Sequence, residues 1–371
     1  PTVVVVDNCP SDLHRRLTEL CRAAGSFVSV LTVEYDIRDD EPEGSETIKI
    51  EAASADLIEQ LIRLHVAELP PLDAAAIARS EISGGNARIA LALARTYKPG
   101  ESLSRLNDAE LFRRLFQQRN EHDPRLLAAA EACSLVYSFD AETRDGDQAE
   151  LPLIAALIGQ SPDELYRHVA TLKGRDLVQQ RGQWRAVLPH AIGNRLAKSA
   201  LKLLPIASIE ARLVTEASER LARSFSRRLG YLHDSAEAVA VVERWLGRGG
   251  FLGDIDALNE LGMTMLVNVA GLAPEAALQA IERSLAAGEK SVLLDERGSR
   301  RHDALNLVHH IAYDAALFGR CVDVLVTFAK VEKPNENHDS SIGVLRALFQ
   351  ARSSRTHATV DQRLSKIRAL L

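Results

Sequence analysis

The sequence predicts an α/β segment that gives way to a mostly α-helical chain. Three observations carry that reading. A β-branched run from Val3 to Val6 ends in Asp7; a helix-turn-helix followed by a short hairpin lies between Leu151 and Leu188; and beyond Pro205 the amphipathic segments contain no convincing strand. A continuous apolar run bounded by polar residues reads as a strand buried on both faces, as in a parallel sheet covered by helices.

The first run is followed by SDLHRRLTELCRAAG. Here Leu13, Leu17, Leu20 and Cys21 fall at helical spacing, Ser11 suits the N-cap and Gly25 the C-terminal end. A second apolar run, Ser26 to Val33, completes a βαβ unit whose strands should be parallel. A third short strand is expected at Glu46 to Ala52, after the acidic loop IRDDEPEGS. The helices SADLIEQLIRLHVAEL and LDAAAIARSEI, and a Gly-led helix start at SGGNARIALALA, then close a first domain over residues 1–100.

Residues 101–204 change pattern. LFRRLF and DPRLLAAAEACSLV are helical, and Leu151 to Ile158 is a helix stopped at Gly159. Ser161, Pro162 and Glu164 supply an N-cap, a first-turn proline and a capping-box acid for the next helix, on which Leu165, Val169 and Leu172 share a face. LVQQRGQWRAVL reads as two strands about a Gly turn. Helix, turn, helix, hairpin is the order of a winged helix. In residues 205–371, units such as PEAALQAIERSL, with a stripe of Ala277, Leu278, Ile281 and Leu285, suggest an α-solenoid-like helical array without a fixed repeat period.

At 371 residues the chain has room for two or three domains. Its 51 acidic and 45 basic residues give a net charge of −6, which exerts no global pull toward nucleic acid or anionic membranes, although a local basic patch is compatible with it. Cysteines at 9, 21, 133 and 321 show no CxxC spacing, so they read as reduced thiols of a cytoplasmic protein rather than as a zinc ribbon or disulfide framework. There is no signal-peptide pattern, and no apolar run approaches the roughly 20 residues of a membrane span.

An aspartate closing an apolar strand is suited to a hard cation bound to phosphates, and it is equally an ordinary strand-to-turn residue. The second strand adds Thr32, Glu34 and Arg38 around its carboxyl end, where open α/β sheets bind ligands. VVVVDN, then SVLTVEYDIR, then SGGNARIALALA, then a winged helix containing LPHAIGNRLA, then a long helical array together resemble the signal-transducing ATPases with numerous domains. That is the STAND class, which includes NACHT and NB-ARC proteins; the order of elements is most similar to bacterial antiviral proteins of the Avs type. The fold this resemblance implies is a partial parallel P-loop-type sheet with a helical subdomain, a winged helix and an α-solenoid-like array.

The resemblance further implies ATP or ADP with Mg²⁺ as cofactors. Asp7 takes the place of the Walker B acid that holds the metal. Asn8 stands where many relatives have a second acid that polarises the attacking water, a role an amide cannot fill, which leaves Glu34 as a weak substitute. Thr32 and Arg38 take the sensor 1 position, Arg38 having an alternative in pairing with Asp36, Asp39 or Asp40. Gly84, Gly85 and Asn86, with Arg88 beside them, occupy the GxP-type position without its proline; they equally suit a plain helix cap. His190 matches the winged-helix histidine that contacts the β-phosphate of ADP. The implied function is a nucleotide-dependent switch in antiphage defence. Its helical region senses a protein partner, such as a phage protein, and its activated form is a homo-oligomer; neither membrane nor nucleic acid is an expected partner.

The motif GxxxxGK[ST] is absent, so ATPase activity would require a phosphate loop upstream of Pro1; the expectation is that this chain is the C-terminal part of a longer protein, the alternative being a degenerate protein that binds a triphosphate poorly. Two other readings stay open. One is a winged-helix transcription regulator with a ligand-binding helical domain, reading DNA through Leu165 to Leu177 with Arg167, His168, Lys173 and Arg175. The other is a helical-repeat binding scaffold. His302, His309, His310 and Cys321 do not make a convincing metal set, and SFSRRLGYLH, Ser224 to His233, reads as a helix junction, or else as a nucleic-acid or partner contact.

Overall fold

The computed structural model describes residues 2–7, 9, 11–23, 25–33, 48, 53–80, 82–118, 121–188, 190–295, 299–332, 340–350 and 365. The chain divides into two units, Pro1–Ala52 and Ala53–Leu371.

In the first unit, β1 (Thr2–Asp7), α1 (Ser11–Arg22) and β2 (Val28–Val33) form the expected βαβ arrangement. The strands pair in parallel with Val6 opposite Thr32 and Asp7 opposite Val33. Gly25, at φ +89°, supplies the left-handed residue that lets the chain leave α1 and enter β2. The expectation of a strand buried on both faces is corrected. Val3, Val4 and Val5 are 61%, 42% and 62% exposed. Among the described residues β1 pairs with β2, and α1 packs on β2, which is too little to cover two faces of a sheet. The expected third strand at 46–52 lies outside the described residues apart from Ile48.

The second unit begins with α2 (Ala55–His65), α3 (Pro71–Arg79) and α4 (Ala87–Ala94), which bury Ile58, Ile62, Ile77 and Leu93 between them. Asp73, buried on α3, accepts hydrogen bonds from the Ser104 amide (2.7 Å) and the Ser102 hydroxyl (3.3 Å), fixing the chain that follows α4. α5 (Asp108–Arg114) is opened by a reciprocal Asn107–Glu110 cap, and a short ladder pairs β3 (Gln117–Gln118) with β4 (Glu121–His122).

Next come α6 (Pro124–Ser134), β5 (Phe139–Asp140), α7 (Leu151–Leu157), α8 (Pro162–Gly174), β6 (Val178–Arg181) and β7 (Trp184–Val187). The three strands form an antiparallel sheet in the order β5-β7-β6. The predicted capping box is present at α8. The Ser161 hydroxyl accepts from the Glu164 amide at 3.3 Å, and a Glu164 carboxylate oxygen accepts from the Ser161 amide at 3.0 Å. Leu165, Val169 and Leu172 are buried as expected, and Gly182, at φ +58°, makes the β6–β7 turn. The two-residue strand β5 carries no periodicity that a sequence could show.

The remainder is helical: α9 (His190–Leu203), α10 (Ile206–Glu210), α11 (Glu219–Leu229), α12 (Ala236–Leu246), α13 (Glu260–Val269), α14 (Pro274–Leu285), α15 (Ser299–Ile311), α16 (Phe318–Val331) and α17 (Ser341–Gln350). α11 packs on α13, α12 on α14, α14 on α15, α15 on α16 and α16 on α17. On α14, Ala277, Leu278 and Ile281 are buried, as their spacing predicts. No helix among the described residues is long and apolar enough to cross a membrane.

Candidate ligand site around His190

His190 is the first residue of α9, three residues beyond the end of β7. Its ring stacks on Tyr137 (centroids 5.0 Å apart, planes 23° apart), and Tyr231 lies 6.0 Å from Tyr137 and 6.3 Å from His190, also nearly parallel. Nε2 of His190 is 3.4 Å from the Tyr137 hydroxyl. Burial first, then the charges of Arg228 and Arg227, push the His190 pKa down to about 4, so the imidazole is neutral at physiological pH.

The rings meet because α11 is fastened to the segment that leads into β5. The Ser224 carbonyl accepts from the Tyr137 amide (3.0 Å). The Ser224 hydroxyl accepts from the Ser138 amide (2.9 Å) and donates to the Ser138 carbonyl (2.6 Å). One turn further along α11, Arg227 lies over the Tyr137 ring at 3.9 Å. The next residue, Arg228, is fully buried, with its guanidinium carbon 5.6 Å from the same ring.

Arg228 donates through Nη1 to the Asn194 side-chain oxygen at 2.5 Å, while its Nε and Nη2 have no hydrogen-bond partner. The guanidinium rests against the first turn of α9. A Cβ on Gly193 would lie 3.1 Å from Nη2 and 3.1 Å from the Val187 carbonyl oxygen, so a larger residue there would push the guanidinium back by a few tenths of an ångström. Burial lowers the Arg228 pKa to about 10, which leaves it charged at neutral pH.

The other candidate residues divide between the two units. In the first, the Thr32 hydroxyl is hydrogen-bonded to Nδ1 of His14 on α1 at 2.8 Å, and His14 Nε2 lies 3.3 Å from the Thr18 hydroxyl. Asp7 closes β1. Asn8, Glu34 and Arg38 lie outside the described residues. In the second unit, Gly84 and Gly85 have φ of +49° and +73°, and the Asn86 side-chain oxygen caps α4 by accepting from the amides of Arg88 (3.0 Å) and Ile89 (3.2 Å). Arg88 and Arg95 both reach Asp176, at 3.9 and 2.9 Å, in the turn after α8. Thus the second unit holds Gly85 and Asn86 at the start of α4 and His190 at the start of α9.

Sequence reasoning missed Tyr137, Asn194 and Arg228 as neighbours of His190. A signal was present in SFSRRLGYLH, whose interleaved cations and aromatic residues supply Arg227, Arg228 and Tyr231. Among the described residues, no group of three His, Cys, Asp or Glu side chains converges to hold a metal ion.

No protein-family model matches the chain, and no curated protein matches it. Among solved structures, the crystal structure of a signal transduction ATPase with numerous domains (STAND) protein with a tetratricopeptide repeat sensor, from Pyrococcus horikoshii, aligns over 99% of this chain and 61% of its own, at 13% identity and a TM-score of 0.34. The chain thus spans about three fifths of that neighbour's length.

Proposed function

We propose that this chain is the nucleotide-dependent switch part of a STAND-type ATPase. In this reading β1 and β2 belong to the nucleotide-binding domain, α2 to α4 to its helical subdomain, and α6 to β7 to a winged helix. The helices from α10 onward form a cytoplasmic sensor for a protein partner, whose binding leads to oligomerisation and effector activation in antiviral defence. ADP in the resting state contacts His190, and exchange for MgATP releases the contact, so nucleotide shifts the population between two arrangements by its differential affinity for them.

The observation that carries this reading is the setting of His190. It is a neutral imidazole at a helix start beside the buried cation Arg228, which has hydrogen-bond donors to spare. Such a place fits a phosphate better than it fits a base edge or a metal. The rival regulator reading needs a free basic face on α8. There Arg175 donates to the Leu115 carbonyl (3.0 Å) and is engaged within the protein, while Arg167 and Lys173 are exposed, with hydrogen bonds to the Asp163 carbonyl (3.2 Å) and to Gln180, so the exposed basic face comes down to two cations.

Isothermal titration of ADP and of MgATP tests the proposal, using the chain and, where the natural protein extends further toward its N-terminus, that longer form. His190→Ala should weaken ADP, and Asp7→Ala should weaken MgATP. Absence of nucleotide binding in both forms would end the ATPase reading and move the test of α8 to DNA.

A further inference from the structure

We propose that Arg228 forms an oxyanion site at the first turn of α9, taking a phosphate group between α9 and α11. The inference deepens the reading above and rests on it only for the location of the site; a free phosphate and the phosphate of a nucleotide share the chemistry.

Among the described residues, the charge of Arg228 has no anionic partner. A buried ion is costly unless it is paired, and Arg228 is fully buried with Nε and Nη2 unpartnered. Another buried arginine shows the contrast. Arg301 also leaves one nitrogen unpartnered, but its Nη2 donates to the Glu332 carboxylate and to the Phe328 carbonyl, both at 2.9 Å. Around Arg228 the charged neighbour is Arg227, of the same sign, and its one hydrogen-bonded side chain is neutral Asn194.

The helix start adds to this imbalance. The first turn of α9 presents backbone N–H groups that no intrahelical carbonyl satisfies, and a partial positive charge with them. A guanidinium pressed against that turn at Gly193 is favourable only with an anion in reach of both. The unpartnered Nε and Nη2 present the two-pronged edge that an oxyanion accepts. Because Arg228 belongs to α11 while Gly193 and Asn194 belong to α9, an anion held there fastens the two helices together.

The test uses inorganic phosphate and ADP as probes, with sodium chloride at matched ionic strength as the control, read by thermal melts and by ³¹P line broadening. Phosphate at ten times its Kd should raise Tm by about 2 °C over chloride. Arg228→Met should remove that shift, and so should Gly193→Ala, which keeps the arginine but fills the approach to Nη2. Should Arg228→Met fail to fold, judged by far-UV circular dichroism, Gly193→Ala decides.

A phosphate shift without ADP binding, in the chain and in the longer form alike, supports the oxyanion site and removes the nucleotide reading. ADP binding that is unchanged in Arg228→Met overturns the oxyanion site and leaves the nucleotide reading standing. No phosphate- or ADP-dependent shift in the wild type overturns it as well.

Discussion

The imidazole of His190 lies 5.0 Å from the ring of Tyr137, centroid to centroid, and within 23° of parallel to it. A protonated ring in that place would be a cation stripped of water and set against Arg228 and Arg227, so the fold favours the neutral form.

This makes stability depend on pH. In the unfolded chain the imidazole takes up a proton near pH 6.5, and in the fold only near pH 4. Between those values the unfolded chain binds more protons, so this contribution is fully present above pH 6.5 and is lost as pH falls toward 4. Urea unfolding across that range should show the decline, and His190→Phe, which keeps a stacked ring but cannot be protonated, should decline less steeply. Equal slopes in the two proteins would rule out a buried neutral imidazole.

Gly230 governs how closely α11 approaches α13. A Cβ there would lie 2.2 Å from the Asn268 carbonyl oxygen, a backbone atom that cannot step aside, while the Asn268 side chain donates to the Ser226 hydroxyl at 2.9 Å. Gly230→Ala should therefore cost about 1–3 kcal/mol by forcing the helices apart. Since Arg228 and Tyr231 flank this residue, the near-UV circular dichroism should change with it. An unaltered urea midpoint would show that the two backbones are not in contact.

Local features of the fold were legible because their causes are local. The Ser161–Glu164 cap and the turn at Gly182 are set by residues within four positions of each other. The cluster around His190 was not legible, because it joins Tyr137 to His190 across 53 positions and Arg228 to Asn194 across 34. Adjacent arginines look alike in a sequence, yet Arg228 is fully buried and Arg227 only partly so. The run Val3–Val6 was misread for a related reason. Apolar composition says which residues gain from burial, and only the neighbouring elements decide whether anything covers them.

The thiols should differ in reactivity. Burial pushes the Cys321 pKa up to about 12 and the Cys133 pKa higher still, whereas Cys21 sits half-buried at the end of α1. The thiolate is the reacting species, so iodoacetamide on the native protein should modify Cys21 at least about tenfold faster than Cys133 or Cys321. Peptide mapping by mass spectrometry reads this directly. Comparable labelling of Cys133 would mean that α6 opens readily in the native state.

The same segment that carries Tyr137 is anchored by a buried ion pair. Arg220 on α11 donates through Nε and Nη2 to the two oxygens of Glu150, which also accepts from the Asp140 amide at 2.6 Å. Its Nη2 further donates to the Ser138 carbonyl at 2.9 Å, and its guanidinium lies 4.4 Å from the Trp184 ring centroid. The Glu150 side chain is 3% exposed and that of Arg220 31%, so the two deletions are unequal. Arg220→Met strands a buried carboxylate and should cost about 3–5 kcal/mol. Glu150→Gln leaves a cation that water can reach and an amide that still accepts from Asp140, and should cost about 1–3 kcal/mol. In the double variant no charge is stranded, so its loss should fall short of the sum by about 1–3 kcal/mol. Urea unfolding of the four proteins closes the cycle. Additivity to within about 0.5 kcal/mol would mean that Glu150 and Arg220 act independently, and that Ser224, rather than this pair, holds Tyr137 against His190.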